Sequence, residues 1–326
     1  MNVSDERFLV TGSMGCIGAW VLKQLVSEGA HVVATDLSLD PVRPRLLMSE
    51  DELKRIQWQK LDVTDTEALT EVVSKNSINR IVHLAGMQIP FCKENPPLGA
   101  AVNVLGTVNI FEAARANGIQ GLVYASSAAA FGSPDLYPET PIADDAPLKS
   151  NTLYGVYKAA NEETARVYWS DWQVGSVGLR PYNVYGVGRD QGLTSDIAKA
   201  ILATAAGQSF NIRYSGPVTL QHAADVAAIF IASARSGVKG SPVCNLRNDV
   251  TTVEDFMTVL KQVAPQADVT NEENPLPFPS DFDDKGLRTL LGKVPHTPIA
   301  EAVQNDLELY QQLIKENRID MTQLDR

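Results

Sequence analysis

The chain has 326 residues, 44% hydrophobic and 21% charged, which is enough length and apolar content for a buried core in one large domain or two intimate ones. Its 28 Lys and Arg against 39 Asp and Glu leave a net charge of −11, which argues against nucleic acid or an anionic membrane as a partner. An anionic ligand would need its own local positive site. The three cysteines, Cys16, Cys92 and Cys244, are scattered and lack metal-ligand spacing, so free thiols in a reducing compartment are expected and no metal site. The N-terminus has no basic stretch followed by a long apolar one, and no apolar run approaches membrane-spanning length; a cytoplasmic protein is expected.

Phe8-Leu9-Val10 reads as a short apolar strand, and Thr11 to Gly18 follows directly, ahead of an amphipathic helix through Trp20, Leu22 and Leu25. Strand, glycine loop and helix come in the order a dinucleotide site needs. Gly12 permits the tight turn, Gly15 lets the backbone approach a pyrophosphate, and Gly18 lets the helix pack on the strand. Met14, Cys16 and Ile17, interleaved with them, belong to the same expected cofactor surface. The next strand, His31 to Thr35, ends at Asp36, placed to accept hydrogen bonds from the ribose hydroxyls and to repel a 2′-phosphate, which favours NAD over NADP. Arg43 and Arg45 nearby pull the other way.

Ile56 to Leu61 reads as a third strand leading to Asp62 and Val63, which could face the adenine edge. A helix around Thr66 to Ser74 precedes the strand Arg80 to Leu84 and the turn Ala85-Gly86. Leu84, Ala85 and Gly86 are expected to line the cofactor, and His83 to be a packed strand residue. Short apolar strands alternating with helices predict an α/β fold with a parallel sheet covered on both faces. Met87 to Pro97 reads as a loop at a strand's carboxyl end, with Gln88 its candidate for substrate contact. Asn103 then opens a helix to Arg115, either anchoring the active-site helix backbone or acting as a buried structural amide.

The strand Gly121 to Ala125 ends in Ser126-Ser127, both candidates for substrate contact; Ser127 is the one expected to hold the reacting oxygen. Tyr154 and Lys158 follow four residues apart, one helical turn on one face. A nearby ammonium would favour the phenolate and lower the tyrosine pKa from about 10, fitting it to exchange a proton with an alcohol or ketone. Farther on, His222 reads as structural, Asp225 as an anchor for a helix running to Ala234, and Val243 to Asn245 as the last strand. A helix spans Thr252 to Val263, Asn274 to Asp284 is an exposed Pro-rich connection, and Ile299 to Leu313 is a closing helix with its charges solvated.

Thr11 to Gly18, Asp36, Asp62-Val63, His83 to Gly86, Asn103, Ser126-Ser127, Tyr154 with Lys158, and Arg180 to Gly186, in that order, resemble the extended short-chain dehydrogenase/reductase family in its NAD-dependent epimerase/dehydratase branch. The resemblance implies a Rossmann-type doubly wound parallel sheet with a smaller C-terminal substrate-binding domain. Residues 1–179 plus about 221–246 would form the first, and 180–220 plus about 247–326 the second. It implies NAD as cofactor, Ser127, Tyr154 and Lys158 as the catalytic set, Lys158 also on the nicotinamide ribose, Asn183 against substrate, Arg180 supporting its loop, and a homodimer. Dehydratase members place an Asp-Glu pair just after the active-site hydroxyl; Ala128 to Ala130 here disfavours water elimination. Sugar-nucleotide members carry an arginine where this chain reads Ser215 to Leu220, so either Arg189 and Arg213 compensate or the substrate is a free sugar, sugar acid or polyol. An epimerase of a sugar or sugar nucleotide is the leading expectation, a net dehydrogenase the second, and a non-catalytic NAD-binding protein the third.

Overall fold

Phe8, Leu9 and Val10 are fully buried, and the strand that carries them becomes an interior strand of a seven-stranded sheet in a computed structural model that describes residues 3–325. In chain order the first half runs β1 (Arg7–Thr11), α1 (Cys16–Glu28), β2 (His31–Asp36), α2 (Val42–Leu47), α3 (Glu50–Leu53), β3 (Gln57–Lys60), α4 (Thr66–Lys75) and β4 (Arg80–His83). Then come α5 (Ile89–Glu94), α6 (Pro96–Ala100), α7 (Gly106–Ala116), β5 (Gly121–Ala125), α8 (Leu153–Trp172) and β6 (Ser176–Arg180). The strand order β10-β6-β5-β4-β1-β2-β3, all parallel, includes β10 (Val243–Asn245) at one edge. The order reverses between β1 and β4, and an open parallel sheet binds its ligand in the crevice at the carboxyl ends beside such a reversal. The fold is therefore the expected Rossmann-type α/β arrangement.

Both faces of the sheet are covered. One apolar cluster joins Phe8, Val10 and Val123 to Leu22 and Leu25 of α1 and to Ile229 and Phe230 of α10 (Ala223–Arg235). The opposite cluster joins Leu9, Ile81 and Leu122 to Leu69 of α4, Phe111 of α7 and Tyr168 of α8.

The remaining elements are β7 (Asn183–Tyr185), α9 (Asp196–Ala205), β8 (Phe210–Ile212), β9 (Pro217–His222), β11 (Asp249–Thr252), α11 (Val253–Val263), β12 (Val269–Asn271), α12 (Lys285–Leu291) and α13 (Ile299–Lys315). Apart from α12, whose Leu287 packs in the first cluster, they form a second cluster in which Ile201 of α9, Phe256 of α11 and Tyr310 of α13 are buried together. Its sheets are small, β11-β9-β7 and β12-β8.

Four local expectations change. Met87 to Pro97 is not a loop but carries α5 and the start of α6, because Asn95 ends one helix and caps the other, accepting from the Leu98 N–H at 3.2 Å. Asn103 does not open a helix: it lies inside a π-helical turn, Ala101–Leu105, that runs on into α7. The Asn274 to Asp284 connection is not simply exposed, since Leu276, Phe278 and Phe282 are buried and Phe282 stacks on Phe131 with ring centroids 5.6 Å apart. Nor are all charges on α13 solvated, because Asp306 is buried against His222 at 3.3 Å. No helix among the described residues is long and apolar enough to cross a membrane.

Candidate active site

The crevice beside the reversal is a cleft of about 540 Å³. Its floor is the glycine loop. Gly12 has φ +65°, and a Cβ there would stand 2.6 Å from the Ala85 amide nitrogen, so no other residue fits without moving β4 away. A Cβ on Gly18 would stand 2.5 Å from the Gly12 carbonyl oxygen. Helix α1 starts from Gly15 with no side-chain cap, which leaves its first amides for a ligand.

Asp36, at the end of β2, accepts from the Met14 N–H at 3.0 Å and the Leu37 N–H at 2.8 Å. The two arginines nearby are engaged. Arg43 donates to both Asp190 oxygens, the shortest contact being 2.7 Å, and to the Met14 carbonyl at 2.9 Å; Arg45 donates to Asp40 at 2.7 Å. A 2′-phosphate would therefore meet Asp36 and find neither guanidinium free. Asp62 and Val63 stand on the cleft wall, Asp62 turning its carboxylate to the Thr64 N–H and hydroxyl.

His83 is buried between the hydroxyls of Thr11, at 2.7 Å, and Thr107, at 3.1 Å. Desolvation first and the Lys158 charge second push its pKa down to about 3, so it is a neutral packing residue, as expected.

The cleft's inner end collects the expected chemistry. Ser127 caps a short 3-10 turn, Ala128–Ala130, by accepting from the Ala129 N–H at 3.1 Å. Thr152 caps α8 by accepting from the Gly155 N–H at 3.0 Å. Gly155 then lets α8 lie against that turn, since a Cβ there would overlap the Ala129 carbonyl oxygen. That approach brings Tyr154 within hydrogen-bonding influence of Ser127. Lys158, 4% exposed, donates to the Ala125 carbonyl at 2.7 Å, and its Nζ stands 5.4 Å from the Tyr154 ring centre.

The electrostatics differ from expectation. Burial is the dominant influence on Tyr154 and raises its pKa above 10; Ser127 and the Arg189 charge pull it back only in part. Lys158 itself is lowered to about 8, by desolvation. The ammonium donates to a backbone carbonyl while standing over the phenol ring.

Beneath this set lies a buried polar network. Glu162, one turn beyond Lys158, accepts from the Ser126 hydroxyl and from Arg180 through Nε at 2.8 Å and Nη2 at 2.7 Å. Arg180 also donates to the Asp144 carbonyl at 2.8 Å and to Asn245 at 3.1 Å. Its expected supporting part follows from these four contacts. Ser126 reaches the cleft wall, but its hydroxyl is committed to Glu162.

Of the expected cofactor residues, Gly12, Met14, Gly15, Cys16, Ile17 and Gly18 line the cleft floor, and Asp36, Asp62, Val63, Leu84, Ala85 and Gly86 its wall. Asn103 lies just behind. Its amide donates to the Met87 and Gly99 carbonyls, while its Oδ1 is buried with no partner, 2.8 Å from where a Cβ on Gly86 would stand. An uncapped helix start, a ribose-facing carboxylate and an orphaned acceptor beside a glycine fit a dinucleotide. Among the substrate candidates, Gln88, Ser127 and Arg189 face the cleft. Asn183 does not: it is fully buried in β7, its amide toward the Tyr214 hydroxyl at 3.4 Å, and Val184 takes the cleft position instead. Thr194 and Phe278 line the cleft unannounced by any local motif, and Tyr182, from within the Arg180 to Gly186 motif, joins them.

The NAD-dependent epimerase/dehydratase family model matches residues 8–246. The chain belongs to that family. It is accordingly an NAD-dependent enzyme of the extended short-chain dehydrogenase/reductase type. It is 28% identical over 316 residues to a UDP-glucose 4-epimerase of Mycolicibacterium smegmatis, covering 93% of this chain and 98% of the relative. UDP-glucose 4-epimerase 4 of Oryza sativa is 32% identical over 189 residues, 56% of this chain and 50% of the relative. Two solved structures share the fold: the Thermotoga maritima UDP-glucose 4-epimerase (TM-score 0.81, 19% identity, 94% of this chain and 99% of that one) and a Clostridium difficile L-threonine dehydrogenase (TM-score 0.82, 19% identity, 94% and 98%).

Proposed function

We propose that this family member transfers hydride at a secondary alcohol of a carbohydrate-type substrate, epimerisation being the leading reaction. The observation that carries the reading is the convergence of Ser127, Tyr154 and Lys158 at the inner end of a cleft floored by the glycine loop. Bound NAD supplies the hydride acceptor and donor. Tyr154 exchanges the proton of the reacting hydroxyl, Ser127 steadies that oxygen, and Lys158 adds a positive charge beside them. Ala128 to Ala130 offers no acid and base for water elimination.

The full-length likeness to UDP-glucose 4-epimerase supports the epimerase. A net dehydrogenase is the second reading. It is favoured by the engagement, among the described residues, of the cations beyond Arg189 that could meet a diphosphate: Arg43 is paired with Asp190, and Arg213 is held by Asp196 at 2.6 and 2.9 Å. The test is to purify the protein without added cofactor, denature it and quantify released NAD and NADH. An epimerase keeps its reduced cofactor until hydride returns, so near-stoichiometric release supports it; an empty protein that binds added NAD weakly supports the dehydrogenase.

In the same reading the sheet with its flanking helices is the NAD-binding domain, and the cluster around α9, α11 and α13 forms most of the substrate-binding domain. Exposed Leu153, Val156 and Val167 share one side of α8 and support a homodimer through that helix, which light scattering would test. Three free cysteines fit a cytoplasmic setting.

A further inference from the structure

Five charged side chains line the cleft: Asp36, Arg43, Asp62, Lys158 and Arg189. The acids stand on the nucleoside side. Arg43 is paired with Asp190, and Lys158 is held by the Ala125 carbonyl. Arg189 is different. Among the described residues its Nη2 has only the Thr194 hydroxyl, at a long 3.4 Å, and its Nε is buried with no partner. A guanidinium left so poorly matched in a cleft is costly unless an anionic ligand completes it.

Its surroundings locate that ligand. A Cβ on Gly192 would stand 3.1 Å from Arg189 Nη2 and 2.6 Å from Gln88 Oε1, so the fork and the amide meet at one spot. The Arg189 charge is also felt at the Tyr154 phenol, whose pKa it lowers. Gln88, Arg189 and Tyr154 line the same cleft, so an anion on Arg189 would share it with the reacting carbinol. A planar fork with one charge matches a carboxylate, whereas a diphosphate calls for more cations than this end holds, where Tyr182, Val184 and Phe278 supply the wall.

We propose that Arg189, with Gln88 beside it, recognises a carboxylate on the substrate, so that the alcohol oxidised belongs to a sugar acid. The inference rests on the hydride-transfer reading and narrows its substrate class. The acid is either free or the uronate end of a nucleotide sugar. The Arg189 charge reaches Cys16 of the glycine loop as well, so the cofactor's own diphosphate is the competing anion.

The test is binding, measured by calorimetry on NAD-loaded Tyr154→Phe protein, with turnover of the same compounds by the wild type. The probes are D-galacturonate against D-galactose, and UDP-glucuronate against UDP-glucose. At least one acid is expected to bind about 30-fold or more tightly than its neutral partner, and which pair shows it tells the free acid from the nucleotide. Adding Arg189→Met should bring that ratio close to one while NAD affinity changes less than about threefold, and Arg189→Lys should recover part of it. Equal binding of acid and neutral partners overturns the assignment. So does an Arg189→Met variant that keeps the ratio and loses NAD affinity about tenfold, which would hand the arginine to the cofactor. Selective acid binding without wild-type turnover leaves the Arg189 assignment standing and refutes hydride transfer.

Discussion

Replacing Lys158 by methionine should stabilise the cofactor-free protein at neutral pH while removing its turnover. The lysine is 4% exposed, and desolvation lowers its pKa from 10.5 to about 8. At about 1.4 kcal/mol per pH unit, that displacement corresponds to about 3 kcal/mol. The unfolded chain holds the proton up to 10.5, whereas the folded chain releases it above about 8. Between those values the unfolded state binds more protons, so stability rises with pH there, and below about 8 the whole penalty is present. Methionine carries no charge to bury. It also forfeits the hydrogen bond to the Ala125 carbonyl, about 1 kcal/mol, which leaves a net gain of about 2 kcal/mol at pH 7. Urea unfolding followed by tryptophan fluorescence, run on both proteins from pH 7 to 10.5, reads the difference directly. The methionine variant's advantage should shrink by about 3 kcal/mol across that range. A difference that stays flat, or a variant less stable at pH 7, would refute the claim that a buried cation is held at a cost.

Three further outcomes are expected. Tyr154→Phe should lower kcat by about 10²–10⁴-fold with NAD affinity nearly unchanged, measured by steady-state kinetics and cofactor titration; loss of both together would make the residue structural. Arg180→Met should cost about 3–5 kcal/mol in urea unfolding, because Glu162 is left buried and unpaired, and Glu162→Leu in the same chain should recover most of it; a double variant as unstable as the sum of the two singles contradicts the pairing. Asp36→Ala should erode the preference for NAD over NADP by about tenfold or more in paired titrations, since it removes the carboxylate facing the ribose while Arg43 stays on Asp190; an unchanged preference would show that selection is made elsewhere.

What was legible in the sequence was what is local. The glycine loop declares itself because Gly12 takes the positive φ its turn needs and Gly18 answers a backbone contact made within one strand-turn-helix unit. Tyr154 and Lys158 share a face because their helix needs only its own periodicity. What failed depended on distant chain. The spacing of Lys158 and Tyr154 predicts an acidified phenol, but the carbonyl Lys158 meets lies on β5 and the cleft's desolvation outweighs the charges around the phenol. Asn183 was assigned to substrate from its place in a motif, yet the pairing of β7 with β9 turns it into the interior. Phe278 and Phe282 sit in a Pro-rich acidic stretch whose composition reads as solvated; rings contributed by Phe131 and Tyr182 bury them. Asp306 reads as one more surface charge on α13 until His222 is brought opposite it by β9.

The segment 186–194 shows how such distant contacts couple the two ends of the cleft. Gly186, Gly188 and Gly192 have φ of +129°, +92° and +102°, conformations that turn the chain sharply and that side chains avoid. Between those turns, consecutive residues serve opposite ends: Asp190 grips Arg43, which also holds the Met14 carbonyl of the glycine loop, while Arg189 stays with Gln88 at the inner end. The segment is pinned from both apolar clusters, by Trp20 of α1 donating to the Val187 carbonyl at 3.0 Å and by Tyr310 of α13 donating to the Gly186 carbonyl at 3.5 Å. A dinucleotide on the glycine loop therefore lies beside a strap that also shapes the substrate end. Arg43 and Arg189 are thus positioned by consecutive residues of one segment.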